Sequence, residues 1–252
     1  MKVTVLGSGT SAGVPTLGCR CAVCTSTNPK NKRMRASLYI EDAGQRFLID
    51  CGPDFRTQAI TNGIHDIDFV LLTHTHSDHI AGLDDLRAFN MIHKHPIAIY
   101  GQQQALEDLR HRFAYCFSPP SPGSYVPELD LQPINGMTEI RGVEVRTVPA
   151  MHGTLPLIGF RFNKFAYLTD VSQLPEESFA LLGGLDVLIL NALRHRPHPG
   201  HMSLSEATTA AKRIGARQTW FTHMCHDLEH EATNATLPPE IQLSYDGLTF
   251  EV

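Results

Sequence analysis

The run His74-Thr75-His76-Ser77-Asp78-His79 gathers four metal-ligand side chains into six residues. It follows Phe69-Val70-Leu71-Leu72, an apolar run of strand type, so the histidines fall where a buried strand ends. Two histidines two apart on extended backbone point the same way. Asp78 and His79 lie where a helix begins and can turn toward a neighbouring point, so the six residues can serve two adjacent ions. Imidazole suits Zn²⁺, and the carboxylate also suits Mn²⁺ or Fe²⁺. The bland alternative is a set of surface histidines at a turn. Four ligand types at the end of a fully apolar strand disfavour it.

A two-ion site needs more ligands than one motif supplies. His152, Asp170 and His223 each stand just beyond an apolar strand, after residues 145–150, 166–169 and 220–222. Any one alone reads as a capping or hydrogen-bonded residue. Three at matching strand ends make a shared rim, where α/β sheets place their sites. Two ions about 3.5–4 Å apart can share a water and lower its pKa toward neutrality, so no serine or cysteine nucleophile is required.

Cys19, Cys21 and Cys24 form a second group, too crowded to bridge one another. Such crowding points to metal before disulfide, and three thiolates suit Zn²⁺. A fourth ligand must come from elsewhere. Cys51 and Cys116 read as core or half-buried residues.

Together these residues resemble the metallo-β-lactamase superfamily, and the whole chain is most similar to the PhnP-type cyclic-phosphate phosphodiesterases. The similarity runs over Gly7-Ser8-Gly9-Thr10, Gly13-Val14-Pro15, the cysteine cluster, Thr73–Gly82, His152, Asp170, His201, and Thr222-His223 with His226. It implies an α/β fold, an αββα sandwich of two mixed β-sheets flanked by helices. It also implies that His74, His76 and His152 hold one ion, that Asp78, His79 and His223 hold the other, and that Asp170 bridges them. The active-site metals would be Zn or Mn. A structural zinc would sit on Cys19, Cys21, Cys24 and His226, tying the N-terminal loop to the segment that carries His223. Asp78 and His201 are the candidate catalytic residues, His201 as a phosphate contact or general acid beside a helix N-terminus that favours an anion. His195 and His198 read as loop histidines without a role.

The activity implied is metal-dependent hydrolysis of a small phosphodiester, of the 2′,3′-cyclic nucleotide or ribosyl cyclic phosphate kind, by a metal-bridging hydroxide. Relatives of the same fold leave alternatives open: a tRNA 3′-processing endoribonuclease, or a non-catalytic accessory protein such as those of pyrroloquinoline quinone formation. A glyoxalase-II-like thioesterase is a further option, against which the cysteine cluster stands. Asn191-Ala192-Leu193-Arg194-His195 departs from the more acidic segment of the PhnP pattern, and the Pro-rich stretch 117–127 is a second departure. Both bear on substrate choice.

The elements that must position these residues are legible as alternating strand and helix signals. Strands are expected over 2–6, 37–41, 45–50, 69–72, 97–100, 143–148, 157–162, 165–169, 187–190, 218–222 and 248–252, with a hairpin at Ala43-Gly44. Helices are expected over 54–62, 79–92, 102–115, 176–182 and 203–214, the last capped by Ser203 with Glu206 three residues on. Ser118-Pro119-Pro120-Ser121-Pro122-Gly123 reads as a loop over the site. The 252 residues, 42% hydrophobic and without a linker, are expected to form one domain over 1–252.

A net charge of −5 gives no nucleic-acid footprint. The basic cluster Lys30, Lys32, Arg33 and Arg35 reads as a solvated loop. No secretory signal is read at the N-terminus, and no apolar run approaches the ~18 residues of a membrane span. The expected setting is the cytoplasm, and the expected partner a small phosphodiester rather than a nucleic acid or a membrane. A homodimer is the assembly allowed for.

Overall fold

The computed structural model describes residues 1–119, 123 and 125–252. Its first strands are β1 (Lys2–Gly7), β2 (Ser37–Asp42), β3 (Gln45–Ile49), β4 (Phe69–Leu71), β5 (Ile97–Gly101) and β6 (Leu129–Pro133). They continue with β7 (Met137–Ile140), β8 (Val143–His152), β9 (Leu155–Phe162), β10 (Phe165–Leu168), β11 (Val187–Asn191), β12 (Gln218–Thr222), β13 (Ile241–Leu243) and β14 (Thr249–Glu251). They form two seven-stranded sheets, ordered β14-β1-β2-β3-β4-β5-β6 and β13-β12-β11-β10-β9-β8-β7. Each sheet is mixed: β14 through β3 and β7 through β10 pair antiparallel, whereas β3 through β6 and β10 through β13 pair parallel.

The period-two alternation of strand side chains sorts residues into layers. Phe47 and Ile49 of β3 face Phe160, Phe162, Phe165 and Tyr167 of the other sheet, in an apolar layer between the sheets. Phe47 stacks on Phe69 with ring centroids 4.5 Å apart. Leu48, between Phe47 and Ile49, points outward to Phe55, Leu83 and Leu106 on flanking helical segments. On the far side Leu188 and Leu190 meet Ala207, Ala211 and Ile214 of the helix Leu204–Ile214. These layers make an αββα sandwich, as expected.

Local signals explain several boundaries. The β2–β3 hairpin turns on Ala43 and Gly44, both at positive φ (48° and 74°), the twist that a two-residue hairpin requires. The helix Leu204–Ile214 starts with a full capping box between Ser203 and Glu206 and ends on left-handed Gly215.

Other expectations are corrected. The helix expected over 79–92 is broken into a turn of helix Ser77–Ile80, a 3₁₀ turn Leu83–Leu86 and a helix Arg87–His93. The break serves the residues after β3. Cys51 N–H donates to the His79 carbonyl (2.7 Å) and Gly82 N–H to the Cys51 carbonyl (2.9 Å). A Cβ on Gly82 would lie 2.0 Å from the Gly52 carbonyl oxygen, so only glycine permits this approach. The helix expected over 102–115 closes at Arg112 and gives way to a 3₁₀ turn, Ala114–Phe117. The expected Pro-rich loop lies partly outside the described residues, at 120–122 and 124. Strands β6, β7 and β13, which the apolar pattern did not predict, are all sheet edges, where polar side chains are tolerated.

The basic cluster is not a solvated loop. Arg33 is 2% exposed and donates to the backbone carbonyls of Cys225 (2.9 Å) and Leu228 (2.6 Å). Arg35 pairs with Asp54 at 3.1 Å, Lys30 with Glu231 at 3.4 Å, and Lys32 donates to the Cys24 carbonyl at 3.1 Å. These side chains fasten the N-terminal segment to the 225–231 region and to Asp54. No helix among the described residues is long and apolar enough to cross a membrane.

Candidate metal centre

Five strand ends converge at one edge of the sandwich. His74 stands three residues past β4, His152 ends β8, Asp170 stands two residues past β10, His223 follows β12, and Asp50 follows β3. Donor atoms of His74, His76, His152 and Asp170 lie within 4.8 Å of one another. Those of Asp78, His79, Asp170 and His223 do so as well, and Asp170 belongs to both sets. Its Oδ1 is 3.3 Å from His79 Nε2, and its Oδ2 is 3.3 Å from His223 Nε2 and 3.9 Å from His74 Nε2. Asp78 Oδ2 lies 3.3 Å from His79 Nε2 and 3.5 Å from His223 Nε2. The two expected ligand groups are therefore the two groups that the fold assembles.

A metal ligand must present a lone pair, and hydrogen bonds on the far ring nitrogen decide whether it does. Thr73 Oγ1 donates to Asp50 Oδ2 (2.8 Å), so it can only accept from His74 Nδ1 (3.0 Å). Asp50 Oδ2 also accepts from His79 Nδ1 at 2.7 Å, and the Gly200 carbonyl accepts from His152 Nδ1. Each of these three rings thus turns Nε2 toward the cluster. The Nε2 of His79 is buried without a hydrogen-bond partner. Unpartnered imidazole nitrogens facing carboxylates are a donor set suited to a borderline divalent ion, and the residues fit the two-ion centre.

The electrostatics agree. Burial opposes charge on Asp170, yet His223 and His79 hold its carboxyl well below the usual range. Asp78 is likewise held low by His223 and His79 against the effect of burial. Burial pushes His74 and His76 down, so their rings are neutral near neutral pH. Burial also works against charge on His79, but Asp170 and Asp50 outweigh it and raise its pKa well above the ordinary value.

Backbone conformation carries part of the cost. Asp50, Asp170 and His223 all take left-handed φ, at 62°, 61° and 56°. Asp and His tolerate this region better than most residues, at about 1–3 kcal/mol each.

Asp50 escaped the sequence reading, although it ends an apolar strand as Asp170 and His223 do. It accepts from Thr73 N–H (2.9 Å), Thr73 Oγ1 and His79 Nδ1, and is fully buried. Asp50→Asn is expected to weaken active-site metal binding about 10–100-fold, measured by competition against a chelating dye. Unchanged affinity would show that His79 needs no such partner. Asn191, in the stretch 191–195, has a structural role. Its amide clasps Val171, accepting from the N–H at 2.7 Å and donating to the carbonyl at 3.0 Å, and so fixes the residue after Asp170.

His201 lies beside the cluster, its ring centroid 4.4 Å from that of His152 and 4.8 Å from that of His223. Burial, reinforced by His223, pushes its pKa down to about 3, so near neutral pH it acts as a neutral hydrogen-bonding group. The neighbouring helix N-terminus does not favour an anion as expected, because the Glu206 carboxylate already occupies it through Ser203. His195 is exposed and stays apart from the cluster. His198 does not. Its Nδ1 accepts the Gly200 N–H at 3.1 Å, and Gly200 in turn holds His152. A Cβ on Gly200 would lie 2.9 Å from His152 Cε1, which explains the glycine.

The second cluster also assembles. Donor atoms of Cys19, Cys21, Cys24 and His226 lie within 4.8 Å of one another, and Cys24 Sγ is 3.3 Å from His226 Nδ1. Thr16 N–H points at Cys24 Sγ (3.3 Å) and Cys24 N–H at Cys21 Sγ (3.4 Å); burial pushes the Cys24 thiol up to about 11, whereas the Cys24 N–H holds the Cys21 thiol below its ordinary value. Three sulfurs and one imidazole fit a closed tetrahedral zinc. Cys225 stays outside the cluster, its sulfur accepting from Asp227 N–H.

A sandwich of two mixed sheets with paired His/Asp ligand sets at one edge defines a metallo-β-lactamase-type hydrolase fold. The sequence model of the beta-lactamase superfamily domain matches residues 45–224. A solved diphosphatase of the PhnP family is 42% identical, superposes with a TM-score of 0.93, and is covered over 97% of its length by the whole of this chain. The chain belongs to the metallo-β-lactamase superfamily and, within it, to the PhnP family.

An octanoyltransferase of Porphyromonas gingivalis is 40% identical over 98% of the chain, and the chain spans about half (51%) of that relative's length. Zn²⁺-bound PqqB from Methylobacterium extorquens, 20% identical with a TM-score of 0.83 and full coverage of both chains, shares the fold.

Proposed function

We propose that the chain is a dinuclear metal-dependent phosphodiesterase that hydrolyses a small phosphate ester, of the 2′,3′-cyclic nucleotide or ribosyl cyclic phosphate class. The observation that carries this function is the Asp170 carboxylate, common to two ligand sets in which the rings of His74, His79 and His152 are fixed with Nε2 inward. Divalent ions bound there, Zn or Mn, supply Lewis acidity toward phosphate oxygens and lower the pKa of a water. The chain's own groups do the rest. Asp78, held ionised by His223 and His79 and partly open to solvent, orients the attacking water by accepting a hydrogen bond from it at Oδ1. His201 donates a hydrogen bond to a phosphate oxygen and steadies the developing charge. Cys19, Cys21, Cys24 and His226 hold a structural zinc that takes no part in the chemistry.

Two features weigh against an RNA substrate. The net charge is −5, and the one basic cluster of the N-terminal segment is spent on internal contacts.

A substrate panel tests the proposal on protein purified without chelator. It holds bis(p-nitrophenyl) phosphate, a 2′,3′-cyclic nucleotide, a diphosphate ester, precursor tRNA and an octanoyl thioester. Hydrolysis of the first two is expected. Cleavage of precursor tRNA alone would establish the endoribonuclease instead, and a metal-loaded protein inert toward all five would favour the accessory role.

A further inference from the structure

A cavity of about 280 Å³ adjoins the ligand run, walled by His74 and Thr75 on one side. Gln102, Gln104, Ala105 and Asp108, around the start of the helix Gln103–Arg112, form a second wall, and Leu155 and Pro156 at the start of β9 form the third. Its size lies near the lower end of the ~300–1,000 Å³ typical of small-ligand pockets, room for one ring system with its attachments.

The chemistry of the walls is unequal. Asp108 is already committed, accepting from Thr75 Oγ1 and from Arg112 Nε. Its charge is therefore balanced, and it anchors the helix to the ligand run. Leu155, Pro156 and Ala105 offer apolar faces, and Leu155 is 38% exposed. No hydrogen bond of the Gln102 or Gln104 side chain occurs among the described residues, and Gln102 does not cap its helix. The cavity thus combines apolar walls, two carboxamides able both to donate and to accept, and no unbalanced charge. These are the requirements of a flat heteroaromatic base, which packs its face on apolar groups and presents donors and acceptors at its edge. A sugar or a second phosphate would ask for more polar or positive walls. His74 is common to the cavity and the ligand set, its Nε2 3.9 Å from Asp170 Oδ2. A ligand with its base in the cavity would place its phosphate next to the metal cluster.

We propose that this cavity is the base-binding subsite, and that the substrate is a nucleotide rather than a base-free cyclic phosphate. The assignment rests on the phosphodiesterase function proposed above, and the experiment separates the two. The ratio of kcat/KM for adenosine 2′,3′-cyclic phosphate to that for ethylene glycol cyclic phosphate is measured in the metal-loaded wild type and in Gln104→Ala and Gln102→Ala. Binding of adenosine 3′-monophosphate is followed by calorimetry in the same proteins. The wild-type ratio is expected to exceed about 10, and each variant to lower it about 5-fold, each lost hydrogen bond being worth about 1 kcal/mol. Monophosphate binding should weaken in parallel. A wild-type ratio near one, or variants that leave both the ratio and the monophosphate affinity unchanged, would overturn the subsite while leaving the phosphodiesterase intact. Hydrolysis of neither ester would overturn the function. Monophosphate binding that still weakens in the variants would then uphold the cavity as a base site.

Discussion

Asp170→Asn is expected to lower hydrolysis of bis(p-nitrophenyl) phosphate by at least about 10³-fold, the scale of losing a principal electrostatic group of a transition state. Asparagine is the informative replacement. Asp170 sits at φ 61°, which Asn tolerates and Ala tolerates poorly, so the backbone is preserved while the charge is removed. The carboxylate is buried, stands 3.3 Å from both His79 Nε2 and His223 Nε2, and accepts from Thr169 Oγ1 at 2.6 Å. With it neutral, both ligand sets lose an anionic member at once. Thermal unfolding and cysteine-site metal content should be retained, which separates a lost centre from a lost fold. A variant within tenfold of the wild type would contradict a shared carboxylate.

Cys24→Ser is expected to have its effect elsewhere. Cys24 is 4% exposed and touches His226, and His226 stands three residues beyond His223. Removing one thiolate from a closed zinc site should release about one metal equivalent per chain. It should also cost on the order of 3 kcal/mol, equivalent to ~6–12 °C in Tm for a chain of this size. Because Arg33 and the 225–231 segment share these contacts, a secondary loss of activity should follow. Metal content and Tm both unchanged would show that the cluster holds free thiols.

Much of the centre was legible because its ligands obey one simple rule. His74, His152, Asp170 and His223 each stand at or just past the end of an apolar strand, and apolar strands are what periodicity detects best. The cysteines were legible from crowding alone. Asp50 meets the same rule and was passed over, since a single carboxylate before Gly52-Pro53 also suits a turn. What stayed hidden depends on partners distant in sequence. Nothing local marks Arg33 as buried, because the carbonyls of Cys225 and Leu228 that satisfy it lie more than 190 positions away. His198 gained its place only through Gly200. The edge strands β6, β7 and β13 are only three to five residues long, so the alternation in Leu129–Pro133 and Ile241–Leu243 is too brief to mark a strand.

The most direct test of the two-ion centre is anomalous X-ray diffraction from crystals of protein purified without chelator, collected above and below the Zn and Mn absorption edges. Three anomalous peaks per chain are predicted. Two should flank the Asp170 carboxylate, one among His74, His76 and His152 and one among Asp78, His79 and His223, and the third should lie among Cys19, Cys21, Cys24 and His226. No peak at Asp170, or a single ion that leaves one of its two ligand sets empty after soaking with Zn²⁺ or Mn²⁺, would contradict the dinuclear centre.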